Sequence, residues 1–302
     1  MKLDFNTVVI GAGVSGMTAA MYLKRSNIDV VILEKSAPGG QINRNGGIEN
    51  YPGFEKIEGP ELAMNIFHQI NKLGIEYRYG DVQTVTDFDE YKIIKTDVGE
   101  IICQNIIIAT GRRPKELGLT LEKQLSGRGV SWCAICDGPL YKNKIVAVVG
   151  GGNSAISEAQ YLSTICSKVY LIHRRDHFRA DAIEQAKLKK HNNIEVLYNT
   201  VITNLNQEDD HLASLVVKTN EEIEEIKVDG LFIYVGYEPD TKFLKGLPIH
   251  LENDYLIVNE RMQTNVRGIY ACGDVIKKEI YQISTAIGEG AIAALSVKKD
   301  IQ

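Results

Sequence analysis

Cysteine is scarce in this chain, and most of it is scattered. Only five of the 302 residues are cysteine, and Cys103, Cys166 and Cys272 stand alone. An odd, dispersed set does not read as a secreted disulfide framework and points to a reducing compartment, so a cytoplasmic location is expected. Long apolar runs are missing as well. No stretch of about 18 uncharged apolar residues occurs, so no membrane span is expected. Asp4 and Asn6 break up the opening segment, and no secretory signal is expected there. Basic runs are also absent: 34 Lys and Arg stand against 39 Asp and Glu, a net charge of −5. That balance argues against nucleic-acid or membrane-surface binding. No second Cys-x-x-Cys pair exists to complete a structural zinc site, and no metal is expected. What is plentiful is ordinary core material, 44% hydrophobic residues, enough for one large or two medium domains.

The closely spaced cysteines lie in Ser131-Trp132-Cys133-Ala134-Ile135-Cys136-Asp137-Gly138, fourteen residues before the glycine-rich stretch that opens at Gly150. A Cys-x-x-Cys pair can carry two electrons as dithiol and disulfide, and its spacing favours one thiolate of lowered pKa. A nucleotide loop just downstream would supply a source of those electrons.

Two such loops are present. In the first, the strand Thr7-Val8-Val9-Ile10 runs into Gly11-Ala12-Gly13-Val14-Ser15-Gly16. A helix follows from Met17 to Arg25, then a second strand from Asp29 to Leu33 that ends in Glu34. The glycines allow the tight turn, the close approach of backbone to a pyrophosphate, and helix–strand packing. Glu34 stands 23 residues after Gly11, where an acid accepts hydrogen bonds from a ribose diol. The second unit repeats the plan: strand Lys144 to Val149, loop Gly150-Gly151-Gly152-Asn153-Ser154-Ala155, helix Ser154 to Ser163, strand Lys168 to Ile172. The position that matches Glu34 is His173, followed by Arg174 and Arg175, with Arg179 one turn on. An acid there repels a 2′-phosphate, whereas arginines bind one through forked, charge-assisted hydrogen bonds. The first unit is therefore expected to hold FAD and the second NADP(H). The six histidines, at 68, 173, 177, 191, 211 and 250, are expected on the surface. Three more apolar runs close on glycine: Asn105 to Gly111, Gly230 to Gly236, and Gly268 to Gly273-Asp274. Ser284 to Leu295 reads as a tightly packed helix. An Asp at a strand end with a helix behind it can hydrogen-bond the hydroxyls of a flavin side chain.

These residues, together with Pro38-Gly39-Gly40-Gln41, Glu49-Asn50-Tyr51-Pro52-Gly53 and the run His173 to Ala180, resemble the low-molecular-weight, bacterial-type NADPH thioredoxin reductases end to end. In the glutathione-reductase-like relatives the redox pair follows the first nucleotide unit; here Gly39 to Asn50 holds no cysteine. The resemblance implies an α/β fold of two Rossmann-like, three-layer dinucleotide-binding domains of the pyridine nucleotide-disulfide oxidoreductase type, one inserted in the other. The FAD domain would comprise residues 1–113 and 243–302, and the NADPH domain, carrying the disulfide, residues 114–242. It adds Lys35, Gly40, Gln41, Asn50, Ala109, Thr110, Gly111, Gly273, Asp274, Gln282 and Ile283 to the FAD-contacting residues Gly11, Gly13, Ser15, Gly16 and Glu34. NADPH would be held by Gly150, Gly152, Asn153, Ser154, Ala155, His173, Arg174, Arg175 and Arg179. Cys136 would be the sulfur next to the flavin, Cys133 the one that attacks the disulfide of thioredoxin, and Asp137 the acid–base. A homodimer is also implied. One departure stands out: relatives often carry Arg just before the glutamine, where this chain has Tyr281. Relatives that take electrons from ferredoxin, and dithiol oxidases of the same fold, have no use for the basic cluster that this chain retains. Cys272 is expected to be a buried packing residue.

Overall fold

The computed structural model describes residues 2–44 and 47–302. The chain forms two compact units, the first made of residues 1–113 and 238–302 and the second of residues 114–237. Each is built around a set of parallel strands whose central members are apolar on both faces, as a sheet covered on two sides requires; in the first unit an antiparallel hairpin extends the sheet.

In the first unit, β1 (Phe5–Ile10) leads through the glycine loop into α1 (Val14–Arg25) and β2 (Val30–Glu34). α2 (Gly59–Lys72), β3 (Glu76–Tyr79), β4 (Val82–Asp87), β5 (Lys92–Thr96) and β6 (Gly99–Ile108) follow. β1 pairs in parallel with β2 and β6, and β2 with β3. Alternate residues face opposite ways: Val9 and Ile107 pack under the helices, while Val8, Ile10, Ile106 and Ile108 pack on the other side with Val85 and Ile94 of the β4–β5 hairpin. Each such fully buried aliphatic side chain stabilises the fold by about 1.5–3 kcal/mol relative to exposure.

The chain crosses out through β7 (Arg112–Pro114). The second unit then runs β8 (Val130–Ser131), α3 (Ala134–Asp137), β9 (Ile145–Gly150), α4 (Asn153–Ser163), β10 (Lys168–Ile172), α5 (Ala182–Leu188) and β11 (Ile194–Leu197). The antiparallel meander β12 (Thr200–Glu208), β13 (His211–Thr219) and β14 (Glu222–Lys227) precedes β15 (Gly230–Tyr234). The parallel sheet has the order β11-β10-β9-β15-β8. Val146 and Val148 face α4, and Ala147 and Val149 face the meander, which completes three layers.

The return passes through β16 (Tyr237–Pro239), which pairs with β7, then the short hairpin β17 (Leu251–Glu252) and β18 (Tyr255–Leu256). Next come β19 (Ile269–Ala271), which pairs with β6, and the closing helix α6 (Ile283–Ile301). The return to the first unit falls at 237/238 and not at the 242/243 expected from the sequence. The reason is local. Glu238 accepts from Arg113 Nε at 2.9 Å, Asp240 pairs with Lys35 at 2.6 Å, and the Thr110 hydroxyl donates to the Asp240 carbonyl at 2.8 Å. α6 packs along α1, where Gly290 allows the approach: a Cβ there would lie 2.3 Å from the Ser15 carbonyl oxygen.

Candidate active site: two nucleotide cradles and a redox turn

The first cradle forms at the carboxyl ends of β1, β2 and β6. Gly11 has φ +105°, and a Cβ on it would sit 2.4 Å from the Ala109 carbonyl oxygen. A Cβ on Gly16 would lie 2.0 Å from the Gly11 oxygen. Gly13 differs: nothing lies within 4 Å of its added Cβ. Two glycines are thus needed for packing, while the middle one leaves the start of α1 open. There, unpaired N–H groups and the helix dipole suit a phosphate. Gly40 (φ +58°) faces the same opening, its added Cβ 3.4 Å from the Gly13 Cα.

Glu34 ends β2 with its carboxylate fixed by donors on both oxygens: the Ala12 N–H at 2.7 Å, and the Ser36 N–H and hydroxyl at 2.9 Å each. A cavity of about 340 Å³ beside it is lined by Gly11, Glu34, Lys35, Thr110 and Asp240 among others. The remaining FAD candidates close the cradle. Gln41 Nε2 donates to the Arg112 carbonyl at 3.2 Å, and Asn50 Nδ2 to Gln282 Oε1 at 3.1 Å. Gln282 caps α6, so Ile283 begins that helix. Gly111 has φ +65°. Gly273 leaves no room for a side chain, its Cβ position being 2.3 Å from Ser15 Oγ. Ser15 is buried, and Asp274 follows in a 3-10 turn.

The second cradle has the same logic in the other unit. Gly150 (φ +155°) would collide with the Tyr234 carbonyl oxygen at 2.4 Å and with Ala155 Cβ at 2.7 Å, whereas Gly152 has nothing within 4 Å. Arg174, Arg175 and Arg179 are exposed just past β10, and Ser154 is exposed at the start of α4. Two of the expected ligands already have partners within the unit. His173 is only 5% exposed, which corrects its placement among surface histidines: its ring fills the space over Gly151, 2.1 Å from the site of an added Cβ. Its Nε2 lies 3.0 Å from the His177 carbonyl oxygen, and burial pushes its pKa down. The Asn153 amide bonds Asp181 twice, at 2.8 Å each way. The Arg179 N–H donates to the Gly151 carbonyl at 2.8 Å, which holds the basic segment against the loop.

Cys133 and Cys136 form a disulfide across α3. Cys133 is buried and Cys136 exposed. The Cys136 N–H points at Cys133 Sγ at 3.2 Å. Two residues without an assigned role organise this turn. The Ser131 hydroxyl donates to Asp137 Oδ2 at 2.6 Å and accepts from the Cys133 N–H at 3.0 Å. The Tyr234 hydroxyl accepts from the Ala134 N–H at 2.8 Å. Ser131 lies within the cysteine motif, but Tyr234 is a hundred residues away and sequence spacing gives no hint of it. Cys103, Cys166 and Cys272 are buried thiols whose pKa values burial pushes up to about 12, 11 and 12.

Residues 5–290 match the model of the pyridine nucleotide-disulphide oxidoreductases. The chain belongs to this family. A thioredoxin reductase of Bacillus subtilis is 43% identical over 300 residues, 99% of this chain and 95% of that protein. The crystal structure of Lactococcus lactis thioredoxin reductase superposes with a TM-score of 0.91 at 42% identity, over 98% of each chain. That of T. acidophilum thioredoxin reductase does so with a TM-score of 0.88 at 34% identity, over 99% of each chain. No helix among the described residues is long and apolar enough to cross a membrane.

Proposed function

We propose that this chain is an NADPH-dependent flavoprotein that reduces the disulfide of oxidised thioredoxin. The observation that carries the reading is the disulfide-bonded Cys133–Cys136 turn, with Asp137 tied to it through Ser131, in the unit whose nucleotide loop ends in arginines. Gly11, Gly13, Gly16, Glu34, Asp274 and Gln282 would hold FAD, and Gly150, Gly152, Arg174, Arg175 and Arg179 NADPH. When bound, FAD supplies the two-electron relay between a nicotinamide and a disulfide.

The chain's own residues do the rest. Once reduced, the Cys133 thiolate attacks one sulfur of the partner's disulfide, forming a mixed disulfide and expelling a thiolate. The Cys136 thiolate then attacks Cys133, restoring the internal disulfide and releasing the partner as a dithiol. Asp137 would hold the proton that the leaving thiolate takes up, and the hydrogen bond from Ser131 to its Oδ2 supports that role. A homodimer fits the exposed apolar side chains of α6, Ile292 and Leu295, and of α2, Met64.

The test is a coupled assay of the flavin-loaded protein with NADPH or NADH, oxidised thioredoxin and a coloured disulfide acceptor. NADPH-specific turnover is expected. Bleaching of the flavin by NADPH without thioredoxin turnover would point to another acceptor, and no bleaching by either nucleotide would reject NADPH as the donor.

A further inference from the structure

Arg112 stands where the chain leaves the Ala109-Thr110-Gly111 strand end, and several separated segments of the first unit converge on it. Its carbonyl accepts from Gln41. Its Nη2 donates to Asp274 Oδ2 at 2.9 Å, the two side chains being 17% and 20% exposed. The guanidinium carbon lies 3.9 Å from the centre of the Tyr281 ring. Lys278 completes the group, with Nζ 3.5 Å from Asp274 Oδ1, 2.8 Å from Glu289 Oε2 and 5.4 Å from the Tyr281 ring centre. Glu289 in turn accepts from the Gly273 N–H at 2.9 Å.

Two cations and two carboxylates, all largely buried, balance one another, which is the condition for keeping charges out of water. A planar guanidinium can offer its edge to a carboxylate while its flat face stacks on an aromatic ring, a fixed geometry that the round ammonium of a lysine does not impose. Tyr281 immediately precedes Gln282, the cap of α6. Arg112 therefore joins the turn Gly40–Arg44, the Gly273–Asp274 turn and the start of α6. These are three stretches of the FAD cradle that lie far apart in the sequence.

We propose that Arg112 is a positioning residue of the FAD site, clamped by the Tyr281 ring, that fixes the Asp274 carboxylate and the start of α6 for the hydroxyl-bearing chain of the cofactor. The inference rests on the FAD assignment above. It also accounts for Tyr281: the aromatic ring at that position holds a cation contributed by another strand.

The experiment strips flavin from the protein and titrates the apoprotein with FAD, following quenching of flavin fluorescence and the visible circular dichroism of the bound flavin. Arg112→Ala is expected to weaken FAD binding about tenfold, the scale of one charge-assisted hydrogen bond, and to change the visible dichroism. Arg112→Lys should restore part of the affinity. Tyr281→Phe should behave as the parent, because the contact uses the ring face, and Tyr281→Leu should move toward Arg112→Ala. If Arg112→Ala does not fold, the Tyr281 pair decides. Parent-like affinity and dichroism in Arg112→Ala, or equal losses in Tyr281→Phe and Tyr281→Leu, would overturn this inference alone. A parent apoprotein that takes up no FAD would overturn the cofactor assignment and the inference with it.

Discussion

Glu158, on α4, carries a carboxyl that the disulfide chemistry does not use. One of its oxygens is buried and finds no hydrogen-bond partner among the described residues. Burial alone raises its pKa from the ordinary 4.5 to about 7. A carboxyl whose pKa rises on folding contributes stability below its unfolded value, and that contribution is lost as pH climbs through the folded one. Glu158→Gln should therefore leave the melting temperature nearly unchanged near pH 4.5 and raise it above pH 7, by up to about 3 kcal/mol of stability. A pH-independent shift in thermal melts would count against the buried, charged carboxylate. The basic cluster supports a second prediction at this scale. Neutralising the exposed Arg174 and Arg175 to Gln should raise the KM for NADPH about tenfold or more while that for NADH hardly moves. Equal changes for both nucleotides would remove the 2′-phosphate role. His173 shows where residue-level reading stops. Its spacing from Gly150 matches that of Glu34 from Gly11, yet its ring is packed over Gly151. Spacing sets where a residue stands along a strand; neighbouring atoms decide which way its side chain turns.

At the scale of elements, the strand–loop–helix units were legible because three independent local signals agree in each: a β-branched apolar run, glycines at fixed offsets, and a helix with small residues on its packed side. α1 starts at Val14 and α4 at Asn153, a few residues or fewer from the expected starts at Met17 and Ser154. The glycines within one loop are not equivalent, and this can be measured. Gly150→Ala forces a side chain into the Tyr234 carbonyl at a left-handed φ, so a loss of about 2 kcal/mol or more is expected in thermal or denaturant unfolding. Gly152→Ala meets nothing within 4 Å and should fold normally, yet bind NADPH about tenfold more weakly because the added methyl stands where a phosphate must approach. Wild-type NADPH affinity in a folded Gly152→Ala protein would displace the phosphate from that loop. The meander β12–β14 was not foreseen as a layer. Its strands alternate apolar and polar residues only weakly, and Leu205, Leu215 and Val217 find their partners on the parallel sheet and not within their own segment.

At the scale of the molecule, the two units divide the labour that the proposed reaction needs, with each cradle at the carboxyl edge of its own parallel sheet. Cys136→Ser separates the two halves of that reaction. The variant is expected to lose thioredoxin reduction while its flavin is still bleached by NADPH under anaerobic conditions, since the nucleotide cradles do not depend on the disulfide. Normal thioredoxin turnover in the variant would reject the Cys133–Cys136 route.

By itself the sequence determined what is local or periodic: the buried strands, the two glycine loops, the opposite charge at the two strand ends, and the cysteine pair with its adjacent acid. Each of these depends on residues a few positions apart, so chain order alone specifies them. Only the tertiary structure decided the rest. It brought Tyr234 to the Ala134 N–H, set Arg112 between Asp274 and Tyr281, turned His173 inward, and held Glu238 and Asp240 on the first unit. These contacts join residues that sequence separates by tens to hundreds of positions, and they exist only once the layers of each unit have packed on their own sheet.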